Sequence, residues 1–157
     1  MSGGAGTGAG GATAAREEPV TIDGFKHMLP ITTRWMDVDV YGHVNNVVYY
    51  SYFDTVVNEH LVSAGLLDPQ TSPVIGLVVE TRCIYFRSLT YPAPVKAAMR
   101  VTKLGSSSVR YQIALFQGDD PSAAAQGHFV HVYVERATQR PVPIPDPVRA
   151  LLQTLVV

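Results

Sequence analysis

The sequence predicts an α+β domain in which an antiparallel sheet covers one long helix. One long stretch in the first half of the chain repeats its apolar residues at helical spacing. Four stretches rich in β-branched and aromatic residues follow it, as expected for strands. At 157 residues, the chain suits a single domain with one hydrophobic core.

The first strand and the long helix are predicted from a change in periodicity. Side chains alternate between two faces from His27 to Met36, with Trp35 on the same face as Ile31. Helical spacing then begins, with Asn45 or Asn46 as the natural N-cap. Gly65 occupies the position of a C-terminal cap, so the helix is predicted to run for about five turns. Its apolar face is predicted to be buried.

The remaining strands are predicted from β-rich composition and from the turns between them. They cover four ranges: Val74 to Leu89, Pro94 to Leu104, Ser108 to Gln117 and Ala123 to Glu135. Residues 105–107 and 118–121 read as turns. An extended segment over 137–145 leads to a short helix that begins at Pro147.

Charge and cysteine content limit the classes of function. The chain carries 12 basic and 13 acidic residues, a net charge of -1, and has no basic block, so no nucleic-acid partner is expected. Cys83 is the single cysteine, which excludes an internal disulfide and fits a reducing compartment.

The segment 1–18 is predicted to be a disordered Gly/Ala-rich tail, and residues 19–157 are predicted to form the domain. The tail lacks the charged and apolar regions of a secretory signal. No apolar run reaches the ~20 residues that span a membrane, so we expect no membrane association and a cytoplasmic protein.

The turn between the first strand and the helix is the strongest functional signal. Residues 34–46 contain two aspartates, one glycine, one histidine and two asparagines immediately before an apolar helix. Such a turn can place a carboxylate beside helix N–H groups that have no partner in the helix. A carboxylate can attack or activate water while those N–H groups hold an oxyanion.

This turn and the order of the elements resemble the hotdog fold, and within it the 4-hydroxybenzoyl-CoA thioesterase family of acyl-CoA thioesterases. The similarity covers about Leu29 to Leu152, and its most specific part is DVDVYGHVNN, residues 37–46. This segment resembles the family's D-x-D-x-x-G-H-V-N-N turn. Weaker similarities lie in residues 103–108 and 140–145. The resemblance implies an antiparallel sheet wrapped around one central helix.

The resemblance implies a role for each residue of the turn. Asp39 aligns with the catalytic carboxylate, as a general base on water or as a nucleophile that forms a mixed anhydride. The backbone N–H of Asn46 or a neighbour would polarise the thioester carbonyl, at the positive end of the helix dipole. By analogy with plant acyl carrier protein thioesterases, His43 and Asn45 could position water or the carbonyl oxygen. Gly42 would allow a special backbone conformation or close approach of substrate.

Three other acids compete for the catalytic role. Asp37 is interpreted as a hydrogen-bonding turn residue, because Asp39 has the catalytic alignment. Asp54 and Glu59 lie within the helix, where another branch of hotdog thioesterases carries its acid. Exposed polar positions on a helix edge explain both residues equally well.

Substrate contacts are predicted at two further places. Tyr49, Tyr50 and Phe53 are core candidates of which part would line an acyl tunnel. Lys103, Ser106 and Ser107 are candidates for contact with the phosphates of CoA, as are, more weakly, Arg82, Arg87 and Arg110. No metal is proposed, because His128 and His131 are three residues apart on a strand and point to opposite faces.

The sequence therefore predicts an acyl-CoA thioesterase that needs no cofactor. The resemblance also implies a homodimer or homotetramer, because hotdog sheets pair edge to edge and place the active site between subunits. Two alternatives remain open. The acyl donor could be an acyl carrier protein, or the domain could bind acyl-CoA without hydrolysing it.

Overall fold

A computed structural model describes residues 15–157 and confirms the predicted α+β class. The helices and strands are β1 (His27–Ile31), α1 (Val48–Ser63), β2 (Val74–Tyr85), β3 (Val95–Leu104), β4 (Ser108–Gln117), β5 (Ala125–Glu135) and α2 (Asp146–Gln153). Two 3-10 turns cover Ile22–Gly24 and Trp35–Asp37. The five strands form one antiparallel sheet in the order β1-β3-β4-β5-β2.

Helix α1 packs on one face of the sheet, and together they form the main core. Its buried side chains are Tyr49, Tyr52, Phe53, Val56, Val57 and Leu61. Sixteen residues give a helix about 24 Å long. Helix α1 ends at Ser63, and Gly65 caps it as predicted, with a left-handed φ of 71°. The Leu66 N–H donates to the Leu61 carbonyl at 2.9 Å and closes the end of the helix.

Two predicted boundaries around α1 are wrong. The N-cap is Val47 rather than Asn45 or Asn46, because the Asn45 side chain accepts a hydrogen bond from the Val47 N–H at 3.2 Å and extends the turn. Strand β1 ends at Ile31 rather than Met36. The Asp37 carboxylate accepts a hydrogen bond from the Arg34 N–H at 2.9 Å and closes a 3-10 turn there.

The other boundaries agree more closely with the sequence. Strand β4 begins and ends where predicted, and β3, β5 and α2 differ by one or two residues at their starts. Strand β2 ends at Tyr85, four residues before the predicted end at Leu89. It ends there because the N–H groups of Phe86 and Arg87 both donate to the Ala124 carbonyl, which interrupts the ladder.

The opposite face of the sheet carries a smaller apolar cluster under the N-terminal segment. Its buried members are Phe25, Ala98, Ala114, Phe116 and Ala123. Glu17 pairs with Arg82 at 2.7 Å, so contacts with the sheet begin inside the segment predicted as a tail. The rest of that predicted tail, residues 1–14, lies outside the described residues. Between residues 15 and 157, no helix is long and apolar enough to cross a membrane.

Gly127 on β5 is required by the close approach of β2. A Cβ atom at Gly127 would lie 1.7 Å from the Arg82 carbonyl oxygen, a backbone atom that cannot move independently. We expect Gly127→Ala to lower the free energy of unfolding by about 3 kcal/mol, the upper end for overpacking. Chemical denaturation measures the effect.

Gly24→Ala is the matched control, since a Cβ at Gly24 would meet only the flexible end of Arg100. This substitution should lower the free energy of unfolding by less than about 1 kcal/mol, as for a surface change. Equal losses in the two variants would contradict this account.

His131 on β5 makes stability depend on pH. Its side chain is 1% exposed, and burial lowers the pKa of the imidazole from 6.5 to about 4. Because the folded state disfavours the imidazolium, the free energy of unfolding should fall as the pH drops below 6.5 and level off near pH 4. The loss attributable to this group is about 3 kcal/mol.

Denaturation of His131→Phe at several pH values tests this prediction. The variant should lose that part of the slope and keep a shallower one from His27 and His60, because burial also lowers the pKa of both groups. A slope identical to that of the wild type would assign the acid sensitivity to other groups.

Candidate active site

The turn between β1 and α1 is held in place by backbone hydrogen bonds to itself and to the segment after β2. The Asp39 N–H donates to the His43 carbonyl at 2.8 Å, and the Val44 N–H donates to the Leu89 carbonyl at 2.8 Å. Gly42 has a left-handed φ of 76°, which favours glycine at this point of the turn. The turn is therefore a fixed loop whose tip lies on the surface.

Asp37 anchors this turn from inside the protein. Its side chain is 1% exposed and accepts hydrogen bonds from Arg34 Nε at 3.0 Å and from the Tyr52 hydroxyl at 2.9 Å. Burial alone would raise the pKa of the Asp37 carboxyl, but the bonds from Arg34 and Tyr52 outweigh it and hold the pKa below its usual range. A carboxylate so fully engaged is structural, as the sequence predicts.

Asp39 differs from Asp37 in having one free carboxylate oxygen. Its Oδ1 accepts a hydrogen bond from the Tyr41 N–H at 2.8 Å and a longer one from the His43 N–H at 3.4 Å. Within residues 15–157, Oδ2 has no hydrogen-bond donor. The turn therefore fixes the orientation of the carboxylate and leaves one oxygen free to bond water or substrate.

The residues before α1 present backbone groups at the positive end of the helix dipole. The Val48 N–H donates to the Asn45 carbonyl at 2.9 Å, whereas the Asn46 N–H has no acceptor among residues 15–157. The Asn46 carbonyl accepts a hydrogen bond from the Tyr85 hydroxyl at 2.9 Å. Tyr85 thus fixes the carbonyl of Asn46. The N–H of Asn46 has no acceptor among the described residues and can donate to an oxyanion.

A cavity of about 330 Å³ brings five of the predicted residues together: Asp39, His43, Asn46, Tyr49 and, from the weaker CoA candidates, Arg87. The rest of its wall consists of Val44, Tyr85, Phe86 and Ser88. The hydroxyl of Tyr49 accepts the Leu89 N–H at 3.0 Å, so this ring is fixed. Asp39 also borders a second, wider hollow of about 800 Å³ with Gly42, Asn45, Trp35 and Tyr91.

The other predicted substrate contacts lie elsewhere in the chain. Phe53 is 0% exposed and belongs to the core, and Tyr50 packs against it with ring centroids 6.0 Å apart. Lys103, Ser106 and Ser107 lie at the turn between β3 and β4, and the Ser107 carbonyl accepts the Tyr133 N–H at 2.7 Å. No contact within residues 15–157 connects this turn to the cavity at Asp39.

The two rival acids on α1 also lie outside this cavity. Asp54 is exposed and accepts a hydrogen bond from Asn58 Nδ2 at 2.9 Å, and desolvation by neighbouring groups raises the pKa of its carboxyl. Glu59 lies in the last turns of α1, near the imidazole rings of His60 and of His27 on β1, which contact each other at an interplanar angle of 45°. Neither acid lines the cavity that contains the free Asn46 N–H.

Sequence reasoning missed Tyr85 as a residue of the site. Tyr85 ends β2, 39 positions from Asn46, and pattern alone places it as one more aromatic strand residue. The premature end of β2 creates the wall formed by residues 85–88. The sequence signal for this wall was limited to the cluster of aromatic, cationic and hydroxyl side chains in residues 85–88.

Comparison with known proteins settles the family. A model of the thioesterase-like superfamily matches residues 33–152. The chain belongs to that superfamily. Its members include thioester hydrolases, and this thioesterase is one of them, with the hotdog fold that its sequence resembles.

Solved structures agree with this assignment. The PA5185 protein of Pseudomonas aeruginosa is 48% identical, with a TM-score of 0.86, over 89% of this chain and 97% of its own. The PA2801 protein of the same species, assigned as a thioesterase, is 31% identical with a TM-score of 0.75, over 80% of this chain and 97% of its own. Slr0204, a 1,4-dihydroxy-2-naphthoyl-CoA thioesterase from Synechocystis, is 14% identical with a TM-score of 0.74, over 82% of this chain and 96% of its own, and shares the fold.

A curated relative is more distant. YsmA of Bacillus subtilis is 22% identical over 85 residues, which cover 54% of this thioesterase and 57% of YsmA. The chain therefore spans little more than half the length of that relative.

Proposed function

We propose that this thioesterase hydrolyses an acyl-CoA to a free carboxylic acid and CoA, with Asp39 as the catalytic carboxylate. One observation carries the proposal. The free Oδ2 of Asp39 and the free N–H of Asn46 belong to residues of the same cavity. A group that activates or attacks and a group that stabilises negative charge are the two requirements of acyl transfer.

The reaction can follow either of two routes from this arrangement. The thioester oxygen would accept a hydrogen bond from the Asn46 N–H, which stabilises the developing oxyanion. As a base, Asp39 takes a proton from water while the water oxygen bonds to the acyl carbon; the carbon–sulfur bond then breaks and the CoA sulfur takes up the proton. As a nucleophile, Asp39 bonds to the acyl carbon and expels CoA, and water then hydrolyses the mixed anhydride.

A second copy of the chain is proposed to complete the site. Strand β2 is an edge strand of 12 residues, and its apolar Val78 and Val79 are 46% and 59% exposed. A long apolar edge needs cover. The other edge, β1, has five residues and contains Pro30. Tyr85 at the end of β2 lines the cavity, so a copy paired along β2 would lie beside the reacting groups.

Edge pairing also gives Lys103, Ser106 and Ser107 a role. Antiparallel pairing of two β2 strands would bring the start of one strand near the end of the other. The turn with Lys103 lies near the start of β2, since Ser107 bonds Tyr133 and Tyr133 pairs with Gly76. We propose that this turn contacts the CoA bound at the partner's site.

Analytical ultracentrifugation tests the pairing of two β2 strands. It should show a species of at least twice the 17.0 kDa chain mass. A monomer would contradict the pairing.

A hydrolysis screen tests the proposed function. Short, medium, long and aromatic acyl-CoAs would be supplied at equal concentration, with release of the CoA thiol as the readout. At least one class should turn over at a kcat of about 1–10³ per second, the common enzymatic range. Activity only on acyl carrier protein thioesters would change the donor. Binding of acyl-CoA with no turnover on either donor would reject hydrolysis.

Tyr85→Phe tests whether the bond to the Asn46 carbonyl orients the proposed oxyanion hole. Loss of one hydrogen bond of about 1 kcal/mol should lower kcat about fivefold, with KM changed less. Thermal unfolding serves as the control for folding. An unchanged kcat would show that the Asn46 peptide is positioned without Tyr85.

A further inference from the structure

The wider hollow beside Asp39, here called the outer hollow, is an apolar surface next to the cavity that contains Asn46. It has a volume of about 800 Å³, and Trp35, Val40 and Tyr91 form part of its walls. Trp35 is 76% exposed and Val40 is 94% exposed, so large apolar groups face solvent here. Exposed apolar surface that is concentrated in one place commonly marks a binding groove. No step of the proposed hydrolysis uses the outer hollow.

The aromatic wall of the outer hollow is fixed by contacts outside it. The rings of Trp35 and Tyr91 meet edge to face, with centroids 5.8 Å apart and an interplanar angle of 84°. The Thr33 hydroxyl donates to the Ala93 carbonyl at 3.0 Å and joins the segments that carry the two rings. Gln117 Nε2 donates to the same carbonyl at 2.9 Å. The wall is therefore formed before a ligand binds, which lowers the entropic cost of binding.

Asp39 lies between the outer hollow and the cavity that contains Asn46. Among residues 15–157, Asp39 is the one lining residue that the two spaces share. A thioester carbonyl has two substituents, the acyl chain and the sulfur of CoA, and they leave the carbonyl carbon in different directions. A carbonyl held at the Asn46 N–H beside Asp39 can therefore place one substituent in each space.

Polarity indicates which substituent enters which space. The cavity at Asn46 is lined by polar side chains such as Ser88 and Arg87, whose ion pair with Asp120 at 3.3 Å leaves it 41% exposed. Within the described part of the chain, Asp39 is the only charged residue that lines the outer hollow. Its negative charge would repel the phosphates of CoA, whereas an acyl chain would cover apolar surface there.

The position of the outer hollow in the fold agrees with this division. Residues 85–88 of the other cavity follow β2, the edge where a second copy is proposed to pair. Tyr91 is attached instead to the middle strand, because the Thr90 N–H donates to the Gln117 side chain of β4 at 3.0 Å. Strand β4 is two strands, about 10 Å, from that edge. Phe53 is 0% exposed, so the space under α1 is filled and the chain has its room outside the core.

We propose that the outer hollow binds the acyl chain of the substrate and that Trp35 and Tyr91 determine its specificity. This assignment rests on the proposed hydrolysis and divides the substrate between the two spaces that meet at Asp39. The hollow is open to solvent at Val40, so it selects an uncharged chain by its apolar area and not by a fixed length. A chain that ends in a carboxylate is disfavoured by the charge of Asp39.

Fluorescence of Trp35 reports directly on the outer hollow, because Trp35 is the single tryptophan of the chain. S-octyl-CoA and S-ethyl-CoA are thioethers that no thioesterase can hydrolyse, so they report binding without turnover. S-octyl-CoA should shift the Trp35 emission to shorter wavelength and bind about tenfold more tightly than S-ethyl-CoA, as burial of about two methylene groups would produce. Equal affinity of the two thioethers, or tight binding of S-octyl-CoA without a change in Trp35 emission, would overturn the proposal.

The same titration distinguishes this proposal from the proposed hydrolysis. Hydrolysis of octanoyl-CoA by a protein whose Trp35 emission does not respond to S-octyl-CoA rejects the acyl site and leaves the hydrolysis intact. A Trp35 response in a protein that hydrolyses no acyl-CoA rejects the hydrolysis and supports the binding of the chain in the outer hollow.

Trp35→Ala and Tyr91→Ala test the two rings, and Met36→Ala is the matched control. Met36 follows Trp35 and is 75% exposed, but it does not line the outer hollow. Each ring variant should lower the ratio of kcat/KM for octanoyl-CoA over acetyl-CoA about tenfold, whereas Met36→Ala should keep the wild-type ratio. Trp35→Phe keeps an aromatic ring and should restore most of the preference. Equal ratios in the wild type and both ring variants, each verified as folded by thermal unfolding, would reject the assigned contacts.

Val40→Lys tests the charge of the outer hollow by a gain of activity. Succinyl-CoA and butyryl-CoA differ by a terminal carboxylate, which a lysine at this exposed position can pair with. The variant should raise the ratio of kcat/KM for succinyl-CoA over butyryl-CoA about threefold to fivefold, the range of an exposed ion pair. An unchanged ratio would place the end of the chain outside the hollow and contradict the proposal.

Sedimentation of Trp35→Ala tests whether a second copy of the chain occupies the outer hollow instead. The variant should sediment with the mass of the wild type, because the proposed pairing uses β2. A fall to a smaller oligomer would identify the hollow as a contact between subunits and overturn the proposal.

Discussion

Asp39→Asn is expected to lower kcat by about 10²–10⁴-fold and to leave the protein folded. The amide has the shape of the carboxylate and can still accept the Tyr41 N–H through its oxygen, so the turn should persist. It cannot take a proton from water at neutral pH, and it is a poor nucleophile. The measurement is CoA thiol release at saturating acyl-CoA, with thermal unfolding as the control. Turnover within about threefold of wild type in a folded variant would remove Asp39 from the chemistry.

Asp37→Asn is expected to have the opposite profile, with a large loss of stability and no direct role in the chemistry. The same chemical change two residues earlier replaces a buried acceptor of three hydrogen-bonding groups, including Arg34 and the Tyr52 hydroxyl. Because Arg34 is 63% exposed and can be rehydrated, we expect a loss of about 2–4 kcal/mol rather than that of a fully buried ion pair.

Denaturation of Asp37→Asn beside Asp39→Asn measures this contrast. The wild type should also lose this contribution in acid. The folded-state pKa of Asp37 is below its ordinary value, so the stabilisation is complete above the unfolded pKa of about 3.9 and disappears as the pH falls through the folded value. Equal stability of the two variants would contradict the structural role of Asp37.

Local sequence pattern was sufficient for the class of fold and for most strands. Strand β4 was located at both ends because turns flank it and its side chains suit a sheet. The error at β1 has a specific cause. Trp35 continues an alternating pattern, but the Arg34 and Asp37 contact turns the chain and leaves Trp35 76% exposed. Periodicity cannot register a hydrogen bond that competes with a strand.

The site was predictable to the extent that it lies in one segment. Asp39, His43 and Asn46 are close in sequence, so a single motif contains them. Tyr85 was missed because helix α1, a loop and strand β2 separate it from Asn46. The fully buried position of Phe53 follows from which face of α1 meets the sheet, which spacing alone leaves ambiguous between core and tunnel.

The most direct test of the proposed chemistry compares three carboxylates under one assay. Asp39→Asn, Asp54→Asn and Glu59→Gln each remove one negative charge with little change of shape. On the acyl-CoA that the wild type hydrolyses fastest, Asp39→Asn should lose about 10²–10⁴-fold in kcat and the other two should remain within about threefold. If Asp54→Asn or Glu59→Gln loses turnover while Asp39→Asn retains it, catalysis occurs on α1 and not at the turn that precedes it.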